Sequence, residues 1–327
     1  MDLVLHIGRH KTGTTAIQRY LARVGHPGLC YPEAGRRLIG TKLHAAHHDV
    51  PALVKRQDDG AERDRMHLAD RIAEEAVGAS VVVLSSEYLE TLPAGAMPAL
   101  GRFVRRIGAN RTVVLYFARE QMEYLASRFQ QEVIQRARTH DFSAFLQQHP
   151  EPHLPTLLDR WGELGEVRVR LYDRASLPDG DVVKELLALV ELEPGPSPPF
   201  GDANPSVSGN LLLVKAALNA AGADPMPRPA EFRRLASSDP RFTGRFRVPR
   251  SLCESTRARS AFNEDLRRIV GDLPMRALWE APPVPDLPNL DTDLVRIAQG
   301  LGLDEQWVDG IRSDLAAIRR WFLADEP

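Results

Sequence analysis

Two glycines, a lysine and three threonines fall within eight residues near the start of the chain, Gly8-Arg-His-Lys11-Thr-Gly13-Thr-Thr15. Together they have the chemistry of an anion cradle. An apolar run at residues 3–7 stops at Gly8, and an amphipathic pattern begins at Thr14. Strand, turn and helix N-terminus in that order aim unpartnered backbone N–H groups outward, and the helix dipole favours negative charge there. Glycine lets the backbone approach an anion closely, Lys11 adds a mobile positive charge, and the hydroxyls of Thr12, Thr14 and Thr15 are further donors. The loop departs from a Walker A motif, in which lysine directly follows the second glycine. Here Thr14 takes that place and Lys11 precedes Gly13 by two residues. A lysine on the turn can reach the oxygen bridging two groups instead of wrapping a β/γ-phosphate pair. Of the 42 basic residues only Lys11, Lys42, Lys55, Lys184 and Lys215 are lysine. In a chain that uses arginine by default, a lysine in this loop points to a compact charge able to share a proton.

Other residues could complete such chemistry. Arg119 follows the apolar run at 112–117 and offers a planar fork for phosphate; Ser127, about two helical turns further on, adds a hydroxyl. An ion pair from Arg119 to Glu123 at i+4 is the structural alternative. Glu87 closes the apolar run at 80–84 and is the expected base for an attacking hydroxyl, with His44, His47 and His48 as the competitors; a helix N-terminal glutamate facing the dipole is the structural alternative. His44, His47 and His48 would share a face if they lay on a helix. They lack a cysteine or carboxylate partner at metal-site spacing, so no metal is expected. Surface histidines, or contacts to an acceptor, are the other readings of this segment.

The loop His6-Ile-Gly-Arg-His-Lys11-Thr-Gly-Thr-Thr15 resembles the 5′-phosphosulfate loop of sulfotransferases that use 3′-phosphoadenosine 5′-phosphosulfate (PAPS), closest to the bacterial carbohydrate-type members. The pair Arg119 and Ser127 resembles that family's 3′-phosphate site. Val167-Arg-Val-Arg-Leu-Tyr172-Asp resembles its late strand, whose tyrosine lies near the adenine, and Ser85-Ser86-Glu87 is common at this place in the bacterial relatives. The resemblance covers roughly residues 3–190. It implies a PAPS-binding set of Arg9, His10, Lys11, Thr12, Gly13, Thr14, Thr15, Arg119, Ser127 and Tyr172. It also implies Lys11 at the leaving oxygen, an acid such as Glu87 as base, and transfer to a carbohydrate or glycolipid hydroxyl. The glycine- and lysine-rich late loop of the cytosolic members has no counterpart; Thr243-Gly-Arg245-Phe-Arg247 is the candidate substitute. A P-loop kinase or other nucleoside triphosphatase is the first alternative. The displaced lysine, and the absence of a Mg²⁺-binding aspartate after the strand at 80–84, count against it. A non-catalytic nucleotide-binding module is the second.

The elements that must position these residues follow from hydrophobic patterning. Valine- and leucine-rich runs at 3–7, 80–84, 112–117 and 166–171 read as buried parallel strands. Helical patterns at 14–24, 44–55, 62–77, 95–107, 120–138, 154–163 and 181–190 alternate with them. The expected fold is α/β: a P-loop-like parallel sheet flanked by helices, with ligands at the carboxyl ends of the strands. Proline clusters at 193–200 and 281–285 interrupt the pattern, and helices are expected at 207–221, 254–270 and 291–322. Residues 1–194 are therefore expected to form the nucleotide-binding core and 195–327 a helical extension shaping the acceptor pocket. A formal net charge of −2 gives no reason to expect nucleic acid or a membrane surface as partner. No apolar run is long enough to span a bilayer. Two cysteines cannot form a disulfide framework, and a strand starting at residue 3 leaves no room for a signal peptide, so the cytoplasm is the expected compartment.

Overall fold

In a computed structural model the described residues are 1–24, 26–39, 42–135, 142–192, 206–222, 227–280, 289–304 and 307–312. The elements are, in chain order, β1 (Asp2–His6), α1 (Thr14–Arg23), β2 (Leu29–Cys30), β3 (Leu38–Ile39), β4 (Lys42–Leu43), α2 (Asp49–Lys55), α3 (Ala61–Glu75), β5 (Val81–Ser85), α4 (Met97–Ile107), β6 (Arg111–Ala118), α5 (Gln121–Gln135), α6 (Phe142–Gln148), α7 (Leu154–Gly162), β7 (Glu166–Leu171), α8 (Val182–Leu189), α9 (Gly209–Ala220), α10 (Pro229–Ser238), α11 (Arg250–Ala258), α12 (Ala261–Val270) and α13 (Leu290–Leu301). The chain divides into two compact units.

The first unit comprises Met1–Arg119, Pro152–Phe200 and Glu264–Leu273. It holds a five-stranded sheet in the order β2-β5-β1-β6-β7, every pair parallel. The protein is thus α/β, with a parallel sheet flanked by helices. Apolar side chains bury both faces of the central strands, which explains near-continuous valine and leucine runs in place of alternation. One face of β1, β5 and β6 (Val4, Val83, Val113, Leu115, Phe117) meets Ile17, Tyr20 and Leu21 of α1 and Val183, Leu186 and Leu187 of α8. Leu3, Leu5, Val82, Leu84, Val114 and Tyr116, which alternate with them, are equally buried. The chain leaves β1 for the edge at β2, returns to β5, then crosses to β6 on the other side of β1. That reversal opens a crevice beyond the carboxyl ends of β1, β5 and β6, the place where open α/β sheets bind ligands.

The second unit comprises Glu120–Glu151, Gly201–Asn263 and Pro274–Pro327 and is helical among its described residues. Its axis is α9, buried from Gly209 to Asn219, around which α5, α10 and α13 contribute Phe129, Val133, Phe232, Leu294 and Ile297. A helix buried all round, its Asn210, Lys215 and Asn219 included, is one enclosed by others.

Three details differ from the sequence patterning. Residues 44–48 are not helical; α2 starts at Asp49, with His48 at its N-cap. The single helix expected at 254–270 is two, because the Ser260 hydroxyl accepts from the Asn263 N–H (3.1 Å) and so caps α12 separately. Helices α6 and α10 were not read from the sequence, nor were strands β2, β3 and β4, each too short to show a period. The proline clusters at 193–200 and 281–285 and the helical pattern at 313–322 lie outside the described residues.

Candidate functional site

The site is built within the first unit, from the loops that follow β1, β5, β6 and β7. The loop after β1 runs from Ile7 to Gly13 and feeds directly into α1. Gly8 is required by close approach: a Cβ there would lie 2.5 Å from Nε2 of His6, whose ring sits against the turn. Gly13, the N-cap of α1, has a φ of 78°, and a Cβ would meet the Tyr172 ring at 2.7 Å and Val182 at 2.8 Å. Lys11 also adopts the left-handed region, with a φ of 65°. A non-glycine residue held there stores roughly 1–3 kcal/mol of strain, the kind concentrated at ligand clamps. Gly13 brings no side-chain cap to α1. The helix N-terminus therefore keeps its affinity for an anion.

The side chains of the loop divide into two groups. Thr12 is buried and its hydroxyl donates to the Arg9 carbonyl at 2.5 Å; the Thr14 hydroxyl approaches the same oxygen at 3.4 Å. Both brace the turn. Arg9 is buried as well, its guanidinium 3.6 Å from Glu90, which also accepts from the Tyr116 hydroxyl at 3.0 Å. His10 and Lys11 are half-buried, and Thr15 is exposed.

Arg119, the first residue after β6, donates from Nη1 to the Lys11 carbonyl at 3.3 Å and lies over the Tyr172 ring at 5.9 Å. Tyr172 extends the sheet ladder through its N–H to the Ala118 carbonyl (2.6 Å). Lys11, Gly13, Arg119 and Tyr172, distant in sequence, thus form one contiguous wall. Ser127 stands half-buried on α5 and belongs to the second unit.

Beyond β5, a polar network occupies the neighbouring strand end. Ser85 Oγ lies 2.8 Å from His6 Nδ1 and accepts from Gln18 Nε2 at 3.3 Å. Gln18, buried on α1, also donates to Glu87 Oε2 at 3.1 Å. Glu87 Oε1 faces His48 Nε2 at 3.9 Å, and His48 Nδ1 meets the Ser86 hydroxyl at 2.9 Å. Burial holds His48 below the ordinary imidazole range, opposed by the Glu87 charge. His48 is therefore neutral at pH 7 and able to accept a proton. Tyr88, 46 % exposed, lies against both the His48 ring (4.6 Å) and the His10 ring (5.7 Å).

The three histidines differ. His44 is exposed. His47 is fully buried, not a surface residue: its Nδ1 accepts from the Ser85 N–H at 3.1 Å, so Nε2 carries the proton and meets the Pro32 carbonyl at 3.0 Å. Burial pushes its pKa down to about 3. It is a neutral strut between the 44–48 segment and β5, with no lone pair left for an acceptor. His48 alone reaches the carboxylate. Gln18 was the residue sequence reasoning missed; it lies four residues after Thr14 on the cradle helix, a signal visible only if Glu87 is known to lie beside α1.

Among the described residues no cluster of three His, Cys, Asp or Glu side chains could hold a metal ion, and no helix is long and apolar enough to cross a membrane. Comparison with protein-family models, curated proteins and solved structures found no match to this chain.

Proposed function

We propose that this protein is a PAPS-dependent sulfotransferase that moves a sulfuryl group to a hydroxyl of a carbohydrate or glycolipid. The observation that carries the reading is the adjacency of a lysine-bearing anion cradle at the N-terminus of α1 and a carboxylate–imidazole pair, Glu87 with His48, joined to that helix through Gln18. The turn from Gly8 to Gly13 fits a phosphosulfate: its glycines cannot carry a Cβ, and α1 opens without a side-chain cap. The cradle is P-loop-like in position, at the end of the central strand, and differs from a Walker loop in where its lysine stands.

PAPS supplies an activated sulfuryl group on a phosphate leaving group. The backbone N–H groups at 13–15, with Thr15 and Lys11, would hold the phosphosulfate; Arg119 and Tyr172 would hold the nucleotide beyond it. Lys11 would bring its charge to the bond that breaks and stabilise the oxygen that departs with the electron pair. The Glu87–His48 pair takes the proton of the acceptor hydroxyl as its oxygen bonds to sulfur. The cytoplasm is the compartment in keeping with this reading.

Two measurements test it. Adenosine 3′,5′-bisphosphate should raise the thermal stability, since a ligand at 100 times its Kd adds roughly 2.7 kcal/mol. Sulfur-labelled PAPS should then pass its label to a member of a carbohydrate acceptor panel without Mg²⁺. Activity that depends on Mg²⁺ and a nucleoside triphosphate would make the protein a kinase or triphosphatase. Tight nucleotide binding with no transfer to any acceptor would make it a binding module.

A further inference from the structure

Gln18 stands where the cradle helix meets the candidate base. It is buried, and its amide nitrogen has two acceptors, Ser85 Oγ at 3.3 Å and Glu87 Oε2 at 3.1 Å. Only an amide N–H can serve a carboxylate, so the orientation of this side chain is determined by its partner. With Oε2 so engaged, the other oxygen of Glu87 is the one turned toward His48 Nε2. Ser85 in turn meets His6 Nδ1 at 2.8 Å, and the His6 ring lies under Gly8. A continuous chain therefore runs from the cradle turn through His6, Ser85, Gln18 and Glu87 to His48.

We infer that Gln18 is a positioning residue for proton removal: it orients and holds the Glu87 carboxylate so that it acts on His48, and it links that pair to the helix whose N-terminus forms the cradle. This rests on the sulfotransferase reading for its role in turnover, but not for the coupling itself. A hydrogen bond donated to a carboxylate favours its ionised form, and an ionised Glu87 favours protonated His48. The groups facing His48 are Glu87, His44, His47, Arg37, Asp49 and Tyr88, while Glu87 also faces His6 and Tyr31. Of these carboxylates, only Glu87 is bonded to Gln18.

The experiment is a double-mutant cycle on the full chain, with His48 titrated by NMR of its labelled imidazole. Gln18→Met keeps length and removes the donor; Glu87→Gln removes the charge. Glu87→Gln should lower the His48 titration midpoint by roughly 0.5–1 pH unit, about what a Coulombic contact at this distance is worth in water, and Gln18→Met, which releases the carboxylate without removing its charge, should lower it by part of that. In a Glu87→Gln background the same change should produce no further shift. An unmoved midpoint in Gln18→Met, or a shift that persists without Glu87, overturns the proposal. In the transfer assay Gln18→Met should lower kcat by roughly 10-fold or more, with nucleotide affinity near that of the parent. Parallel losses of affinity and kcat would mean a merely structural residue in α1. Should methionine disturb α1, Gln18→Glu preserves shape and sets two carboxylates together, and the acid limb of the rate profile should then move to higher pH; an unmoved limb overturns the proposal. The NMR cycle needs no turnover, so it decides the role of Gln18 even if no acceptor is ever sulfated.

Discussion

His48 Nε2 and Glu87 Oε1 face each other across 3.9 Å at the end of β5, too far for a direct hydrogen bond and close enough for a strong electrostatic influence. In the sequence alone the two are competitors for one role. The geometry sets the imidazole beside the carboxylate, where a proton on His48 would be stabilised by the Glu87 charge.

For this pair the expectation is non-additivity. Glu87→Gln and His48→Asn should each lower turnover by ~10²-fold or more, within the range of a positioned base. The double variant should be scarcely worse than either, because groups that act as a unit fail together. Steady-state kinetics of the four proteins checks this; multiplicative losses would separate the roles. Burial lowers the His48 pKa, so activity should be retained as pH falls to the ordinary imidazole value of 6.5 and be lost below it, as the ring protonates.

Lys11 allows charge and backbone to be separated. Lys11→Ala should reduce kcat far more than nucleotide affinity, since the contact strengthens as the leaving oxygen gains charge. Lys11→Arg should restore only part. Lys11→Gly relieves the positive φ, so it should be at least as stable as the parent yet as slow as Lys11→Ala. Thermal unfolding beside kinetics reads both. Normal turnover in Lys11→Ala would remove the lysine from the chemistry.

Arg119 is bonded to the cradle and stacked over Tyr172. Arg119→Ala should weaken adenosine 3′,5′-bisphosphate more than adenosine 5′-monophosphate if the guanidinium also reads the 3′-phosphate, by roughly 1.5–3 kcal/mol for a charge-assisted bond. Equal weakening of both nucleotides by calorimetry would leave it as a clamp on the Lys11 loop.

His6 and His47 predict an acid-labile fold. Both are fully buried, with pKa values pushed down by burial to about 4 and about 3 from 6.5. Folded they stay neutral, while the unfolded chain binds protons once pH drops below 6.5. The unfolded state then binds more protons, so their contribution is fully present above pH 6.5 and lost as pH falls toward the folded values. Each such shift is worth roughly 1.4 kcal/mol per pH unit. Urea midpoints should decline between pH 7 and 4.5, and less steeply in His6→Gln.

Gly13→Ala should damage the cradle twice, through a positive φ and through contact with Tyr172 and Val182. A loss of ~1 kcal/mol or more in stability and weakened bisphosphate binding are expected. An unchanged variant would mean that the turn yields.

Local features are legible in the chain, because they depend on near neighbours. Strand runs such as Val81–Ser85 and Arg111–Ala118 are legible since both faces are apolar, and the cradle is legible since glycine, lysine and threonine crowd one strand-to-helix turn. Which distant residues meet follows instead from how the elements pack. Residues 44–48 have helical spacing, yet the His47 ring pairs with the backbone of Ser85, and that long-range bond outweighs a short helix's weak propensity. The strand order that sets β5 and β6 on either side of β1 is what gathers Glu87, Arg119 and Lys11 at one sheet edge. Gln18 carried no local signal because a polar residue on a helix is ordinarily solvated. Its function as a donor to Glu87 exists only once α1 lies beside the end of β5, a placement fixed by burial of Ile17 and Leu21 against the sheet.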